Sequence, residues 1–161
     1  MNTLFAWTAL TGFILALAAH IAAICGVDVG GRYPFVWGLH FGVFIVFIPI
    51  FFSMKRTFGA KPTMAQIRDE FPRWVVVLGI CMMAYTLVNF LLFALNTAGG
   101  SPSIKDGKYL LLNHGTLIRE ISESEYRQFM ANIARGFSGH WLFFYFFSFA
   151  WFKLRKNPES N

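Results

Sequence analysis

Apolar residues fill four stretches of the chain, at 4–26, 35–54, 74–95 and 137–152, and almost every charge lies between or beyond them. A hydrocarbon layer about 30 Å thick takes about 20 residues of helix to cross, and the first three stretches reach that length. The fourth is shorter. It is preceded by Tyr126, Phe129, Met130, Ile133 and Phe137, which follow the three-and-four spacing of one helix face, so its helix begins ahead of the apolar run. Ser122 followed by Glu125 makes a capping box that marks this start. Gly136 and Gly139 are candidate kink points in that helix, and Pro49 is one in the second.

The pattern predicts an all-α membrane protein, a four-transmembrane-helix bundle forming a single domain over 1–161. A hairpin-plus-helix segment at 96–135 is inserted before the last span. Residues 97–102 (Thr-Ala-Gly-Gly-Ser-Pro) read as a flexible exit and Asp106-Gly107 as a turn pair. Lys108–Asn113 and Thr116–Ile121, flanking His114-Gly115, read as the β-hairpin. His114 is then a turn residue. A lone hairpin is marginal in water, so its apolar residues must lie against helix ends, the membrane surface or a partner.

Composition agrees with this picture. The chain is 56% hydrophobic, 19% aromatic and 14% charged, too few charges for an ordinary soluble domain. The net charge of +6 does not point to a nucleic-acid partner, because of where it sits. Lys55, Arg56, Lys61, Arg68 and Arg73 crowd the loop between the second and third spans, and Lys153, Arg155 and Lys156 follow the fourth. Four crossings put both groups on one side, the cytoplasm by the positive-inside rule, with both termini there. Segment 96–135 faces outward. Trp7, Trp74 and Trp151 mark one interface and Trp37 and Trp141 the other, as aromatic belts do. No Lys or Arg precedes the first stretch, so it reads as an uncleaved helix and not a signal peptide. Cys25 and Cys81 differ too much in depth to pair. The chain holds no phosphate loop, nucleophile elbow or paired-cysteine metal motif.

Chemistry is sought in the polar groups within the spans, since these are costly in lipid. His20, His40 and His140 each fall roughly 5 to 10 Å below the outer boundary at about 1.5 Å per residue. Asn89 reaches the same level. Imidazoles from several helices are how a bundle holds haem iron or a transition metal. Two of the histidines would be axial ligands to a haem b, with Arg32 or Arg135 neutralising its propionates. Alternatively all three hold a transition metal ion, supported by Asn89, Cys25 or Asp28. The competing expectation is that each histidine hydrogen-bonds to a neighbouring helix. Gly38 and Gly42 read as a small-residue helix contact, as do Ala18 and Ala22. Tyr85, Thr86 and Tyr145 are candidates for a polar path, and the phenylalanine-rich run 143–149 for lipid-facing and packing surface.

The runs at 106–109, 113–115, 121–126 and 135–141, which include Asn113-His114-Gly115 and Arg135-Gly136-Phe137-Ser138-Gly139-His140-Trp141, resemble a pattern in small uncharacterised four-span bacterial membrane proteins. The resemblance covers the last third of the chain. It implies a bacterial inner-membrane location and no activity. The functional expectation is a small polytopic inner-membrane protein binding haem b or a transition metal through its histidine layer. The alternative is a non-catalytic accessory or assembly protein that docks another membrane protein, or a second copy, through 96–135. A transporter is disfavoured: no acidic residue lies in a span, and no repeat with broken helices is visible.

Overall fold

The computed structural model describes residues 2–59 and 61–156. The two extreme ends, whose placement on one side is expected above, lie outside the described residues. The order of elements is α1 (Asn2–Ile24), α2 (Val29–Arg32), a 3-10 turn (Pro34–Trp37), α3 (Gly38–Phe58), α4 (Met64–Asp69), α5 (Arg73–Leu95), β1 (Ser101–Lys105), β2 (Lys108–Asn113), β3 (Thr116–Glu120) and α6 (Glu123–Lys153). The fold is mostly helical, and α1, α5 and the segment Pro34–Phe58 are long and apolar enough to cross a membrane.

The longest helix, α6, is the hub. Its capping box forms in full: the Ser122 hydroxyl accepts from the Glu125 amide, and the Glu125 carboxylate accepts from the Ser122 amide. From there the helix runs unbroken to Lys153. It packs against α1 most extensively, then α5 and α3. Among the described residues, the large hydrophobics left exposed lie on α1, the 3-10 turn, α3, α4, α5, the loops and the sheet, and none on α6. This explains why α6 is less apolar than its neighbours. A helix wrapped by others keeps its polar side chains inside the protein, whereas α3 and α5 turn Phe41, Phe44, Ile45, Val77, Ile80 and Leu87 outward. The run 143–149 is packing surface throughout, with no exposed phenylalanine.

Close packing on α6 is achieved by small residues. Ala6, Ala9, Gly12, Ala16, Ala19 and Ala23 are all buried and recur every three or four positions, which places one stripe of α1 against α6. The Tyr145 ring lies over Gly12 of α1, and its hydroxyl, beside Gly42 of α3, donates to the Leu39 carbonyl at 2.8 Å. Of the expected pair Gly38/Gly42, only Gly42 makes this contact, since Gly38 faces open space. Of Ala18/Ala22, Ala18 is exposed. Gly136 and Gly139 are close-approach points for α5 and not breaks in α6. A Cβ on Gly136 would meet the Phe93 ring at 2.6 Å, and one on Gly139 would collide with Asn89. Trp141 and Trp151, expected at the interfaces, are core residues at 1% exposure. Each finds a partner for its N–H, Trp141 on His40 Nδ1 and Trp151 on Ser53 Oγ, both at 3.1 Å.

The insertion is a three-stranded antiparallel sheet in the order β1-β2-β3, where the sequence pattern predicts a hairpin. Two-residue turns join the strands. Asp106-Gly107 and His114-Gly115 all have positive φ, the requirement of the primed turns that match strand twist. His114 therefore sits where a turn needs it. The unpredicted strand is β1, paired from Ser101↔Leu112 to Lys105↔Lys108. Its one large apolar residue, Ile104, leaves no alternation to read, and pairing with β2 creates the strand. Leu111 at 1% exposure anchors the sheet, which packs on α6 through β1 and β2.

At the opposite end the loop between α3 and α5 is fastened to α6. Thr63 and Gln66 complete a capping box on α4. Glu70 accepts from Arg155 Nε at 2.9 Å and Nη2 at 2.7 Å, and the Arg155 guanidinium lies 4.4 Å over the Trp151 ring.

Candidate functional site

The polar side chains expected in one layer are divided between two sides of α6. Ser138 and His140 are two positions apart and so point about 200° apart around the helix axis. On the Ser138 side lies His20. The Ser138 hydroxyl donates to the Ala134 carbonyl at 2.6 Å, a back-bond within its own helix. It thus accepts from His20 Nδ1 at 2.8 Å. That leaves His20 Nε2 as the acceptor for the Tyr85 hydroxyl at 2.5 Å. The assignment uses both ring nitrogens and ties α1 to α6 and α5 at once.

On the other side His40 and His140 stack edge to face, ring centroids 5.8 Å apart, in a rim formed by Phe44, Phe137, Trp141 and Phe144. Trp141 can only donate, so His40 Nδ1 accepts its N–H, and the proton of the neutral His40 ring is on Nε2. A metal ligand must present a lone pair. His20 has none to spare, and His40 presents a protonated nitrogen. Among the described residues, no three of His, Cys, Asp and Glu gather in a group that could hold a metal ion. As arranged, His20 and His40 are hydrogen-bonded fasteners between helices, and His140 packs against the His40, Phe137 and Phe144 rings.

The other candidates follow the same division. Arg32, at the end of α2, is exposed and lies over the Tyr33 ring, away from the layer. Asp28 caps α2 by accepting from the Gly31 amide at 2.7 Å. Cys25 and Cys81 are exposed free thiols. Thr86 donates to the carbonyls of Met82 and Gly139 at 2.9 and 3.2 Å. Together with Tyr145 on Leu39, these hydroxyls are local fasteners and not a continuous path.

Asn89 and Arg135 do meet. Arg135 Nη1 donates to Asn89 Oδ1 at 3.1 Å, and Asn89 Nδ2 donates to the Arg135 carbonyl at 3.0 Å. The second guanidinium arm donates to Asn132 Oδ1 at 2.8 Å, and Asn132 Nδ2 in turn donates to the Phe93 carbonyl at 3.2 Å. Arg135 opens onto a cavity of about 540 Å³ bounded by the ends of α1 and α5 and the first three turns of α6. The cavity exists because α1 and α5 both pack on α6 and hardly touch each other. Its wall also holds Glu125, whose carboxylate bonds to Arg119 at 2.8 Å. That contact, followed by the Ser122 amide, pulls the Glu125 carboxyl down to about 2.

Sequence reading missed Ser138, Asn132 and the cavity. Asn132, three residues before Arg135, was visible as a polar residue on the helix; nothing in the sequence says which face Ser138 would turn to α1. No protein-family model, curated protein or solved structure matches the chain, so the function is argued from these residues alone.

Proposed function

We propose that the chain is a four-span protein of the bacterial inner membrane, with α6 as its fourth crossing and both termini cytoplasmic, acting as a non-catalytic accessory subunit that docks a partner protein through its extracytoplasmic sheet. Basic residues support the orientation: Lys55, Arg56, Arg68 and Arg73 share one end of the molecule with Lys153, Arg155 and Lys156. The reading of α6 as a crossing is supported by its being wrapped by three apolar helices, which shield its polar groups.

The observation that carries docking is β3. It is an edge strand exposed at all five positions, so its free main-chain edge is open to a further strand. Leu117 and Ile118, 53% and 45% exposed, are consecutive and so leave apolar surface on both faces. The sheet is held on a rigid extension of α6, which fixes its height above the membrane. A sheet that served only to cap the helices would not need this edge bare.

The test is the double variant Leu117→Lys/Ile118→Lys in the full chain, compared with wild type by crosslinking in intact membranes and co-purification. The variant is expected to fold, since both positions are solvent-exposed, and to lose the crosslinked protein species. An unchanged set of crosslinked species would overturn docking through β3, and crosslinks to lipid alone would make the sheet a membrane-surface element.

A further inference from the structure

We infer that the cavity beside Arg135 is a binding site for a phosphate-type oxyanion carried by an amphiphile, the head group of an anionic phospholipid in the outer leaflet. The inference rests on the membrane reading above and is independent of docking through β3.

The charge of Arg135 is the starting point. Every described ion pair joins other residues: Arg68 with Asp69, Lys108 with Glu120, Arg119 with Glu125, Arg127 with Glu123 and Arg155 with Glu70. Arg135 has two neutral amides instead. Those amides are themselves fixed to main-chain carbonyls of α5 and α6, so the guanidinium plane is held before any ligand arrives. A guanidinium carries five N–H donors; two are spent on Asn89 and Asn132, which leaves three. A fixed, half-buried cation with spare donors in a fork is the geometry that recognises phosphate bidentately. The carboxylate that shares its cavity, Glu125, is spoken for by Arg119.

Position and lining say what the anion is attached to. Arg135 immediately precedes the apolar run of α6 and its guanidinium meets Asn89, which puts it just below the outer boundary, within reach of a head group. Beside polar groups such as Asn96 and Gln128, the lining includes an apolar wall: Ile24 from α1, Leu92 and Leu95 from α5 and Phe129 from α6. This wall continues onto the outward face of α5, where Val88, Leu91 and Leu95 are 55%, 57% and 70% exposed. A ligand with its phosphate on Arg135 therefore has a path for acyl chains down α5. The cavity's 540 Å³ accommodates a head group and not a whole lipid.

The test uses the full chain purified in neutral detergent. Native mass spectrometry with added phosphatidylglycerol or phosphatidylcholine reads retained lipid, and inorganic phosphate serves as competitor. Wild type is expected to retain one phosphatidylglycerol in preference to phosphatidylcholine. Arg135→Gln should cut that retention by at least about tenfold and Arg135→Lys by less, because the charge stays and the fork is lost. Gln128 is an exposed cavity residue, so Gln128→Glu adds a repelling carboxylate without disturbing the Arg135 bonds. It should weaken retention even if the Arg135 variants fail to fold. Displacement of the lipid by inorganic phosphate at equal concentration would assign the site to free phosphate while keeping the oxyanion chemistry. Equal retention of both lipids with no effect of phosphate, or unchanged retention in folded Arg135→Gln and Gln128→Glu, would overturn the inference.

Discussion

Asn89 and Arg135 brace each other in both directions across the α5–α6 contact, side chain to side chain at 3.1 Å and side chain back to main chain at 3.0 Å. Asn89 is 2% exposed and supports the one cation of the cavity. Asn89→Ala removes both bonds and leaves Arg135 Nη1 without its acceptor, while the Arg135 carbonyl still accepts from the Ser138 hydroxyl at 3.3 Å. A cost of about 2 kcal/mol is expected, within the range for a buried group left unsatisfied. Thermal unfolding in detergent measures it. A loss under about 0.5 kcal/mol, the scale of an average interhelical bond in a membrane, would mean that the pair is not a structural brace.

The histidines lead to an expectation about metal. With His20 committed to Ser138 and Tyr85, and His40 to Trp141, the protein purified from cells is expected to show no Soret band and no stoichiometric metal by elemental analysis. Chelator should leave its melting temperature unchanged. His20→Ala, by contrast, should cost about 1–3 kcal/mol for the polar groups it strands. A Soret band, or one metal per chain lost together with His40 or His140, would restore the ligand interpretation.

The elements of this fold differ in how locally they are encoded. The long apolar runs and the Ser122–Glu125 capping box locate α1, α3, α5 and the start of α6, because length and local hydrogen bonding are encoded within each segment. The two primed turns at Asp106-Gly107 and His114-Gly115 are equally local. What is not local is which face of α6 meets which neighbour. Counting residues along each span yields an expected depth for His20, His40 and His140; it yields no angle around the helix axis, since that depends on where Ser138, Trp141 and the alanine stripe of α1 come to rest. The stripe itself, Ala6 to Ala23 at three-and-four spacing, was the available signal for that angle. β1 was illegible for a related reason, its conformation being supplied by β2.

Glu125 gives a pH dependence with a definite sign. Its carboxyl is held from an ordinary value of 4.5 down to about 2, first by Arg119 and then by the Ser122 amide. A group whose value falls on folding stabilises the fold when ionised. This contribution is complete above about 4.5 and is lost progressively as pH falls towards about 2. Hydrogen exchange at the amides of residues 122–126 should therefore accelerate over that window beyond its intrinsic pH trend. Glu125→Gln should show the faster exchange at neutral pH and no further change in the window. Protection that is independent of pH in wild type would remove Glu125 as the cap that joins β3 to α6.

The last prediction concerns the far end, where Glu70 joins the α3–α5 loop to α6. The Arg155 side chain has 0% exposure and Glu70 20%, so the pair is mostly out of water. Two guanidinium nitrogens reach Glu70 Oε2, and the Lys156 amide donates to the Glu70 carbonyl at 2.8 Å. Removing one partner of a fully buried pair costs about 3–5 kcal/mol because the other charge is stranded. Here Glu70 reaches solvent and Arg155 keeps its place over the Trp151 ring, so Glu70→Ala is expected to cost about 2 kcal/mol, below that range. Glu70→Gln, which keeps an acceptor, should cost roughly half as much. The loop should also become open to trypsin at Arg68 and Arg73, sites that the latch holds near the helix ends. Chemical unfolding and the rate of tryptic cleavage in detergent measure the two effects separately. If cleavage accelerates without loss of stability, the latch orders the loop alone; if neither changes, the ion pair fastens nothing, and Phe71, buried at 5% exposure, holds the loop by itself.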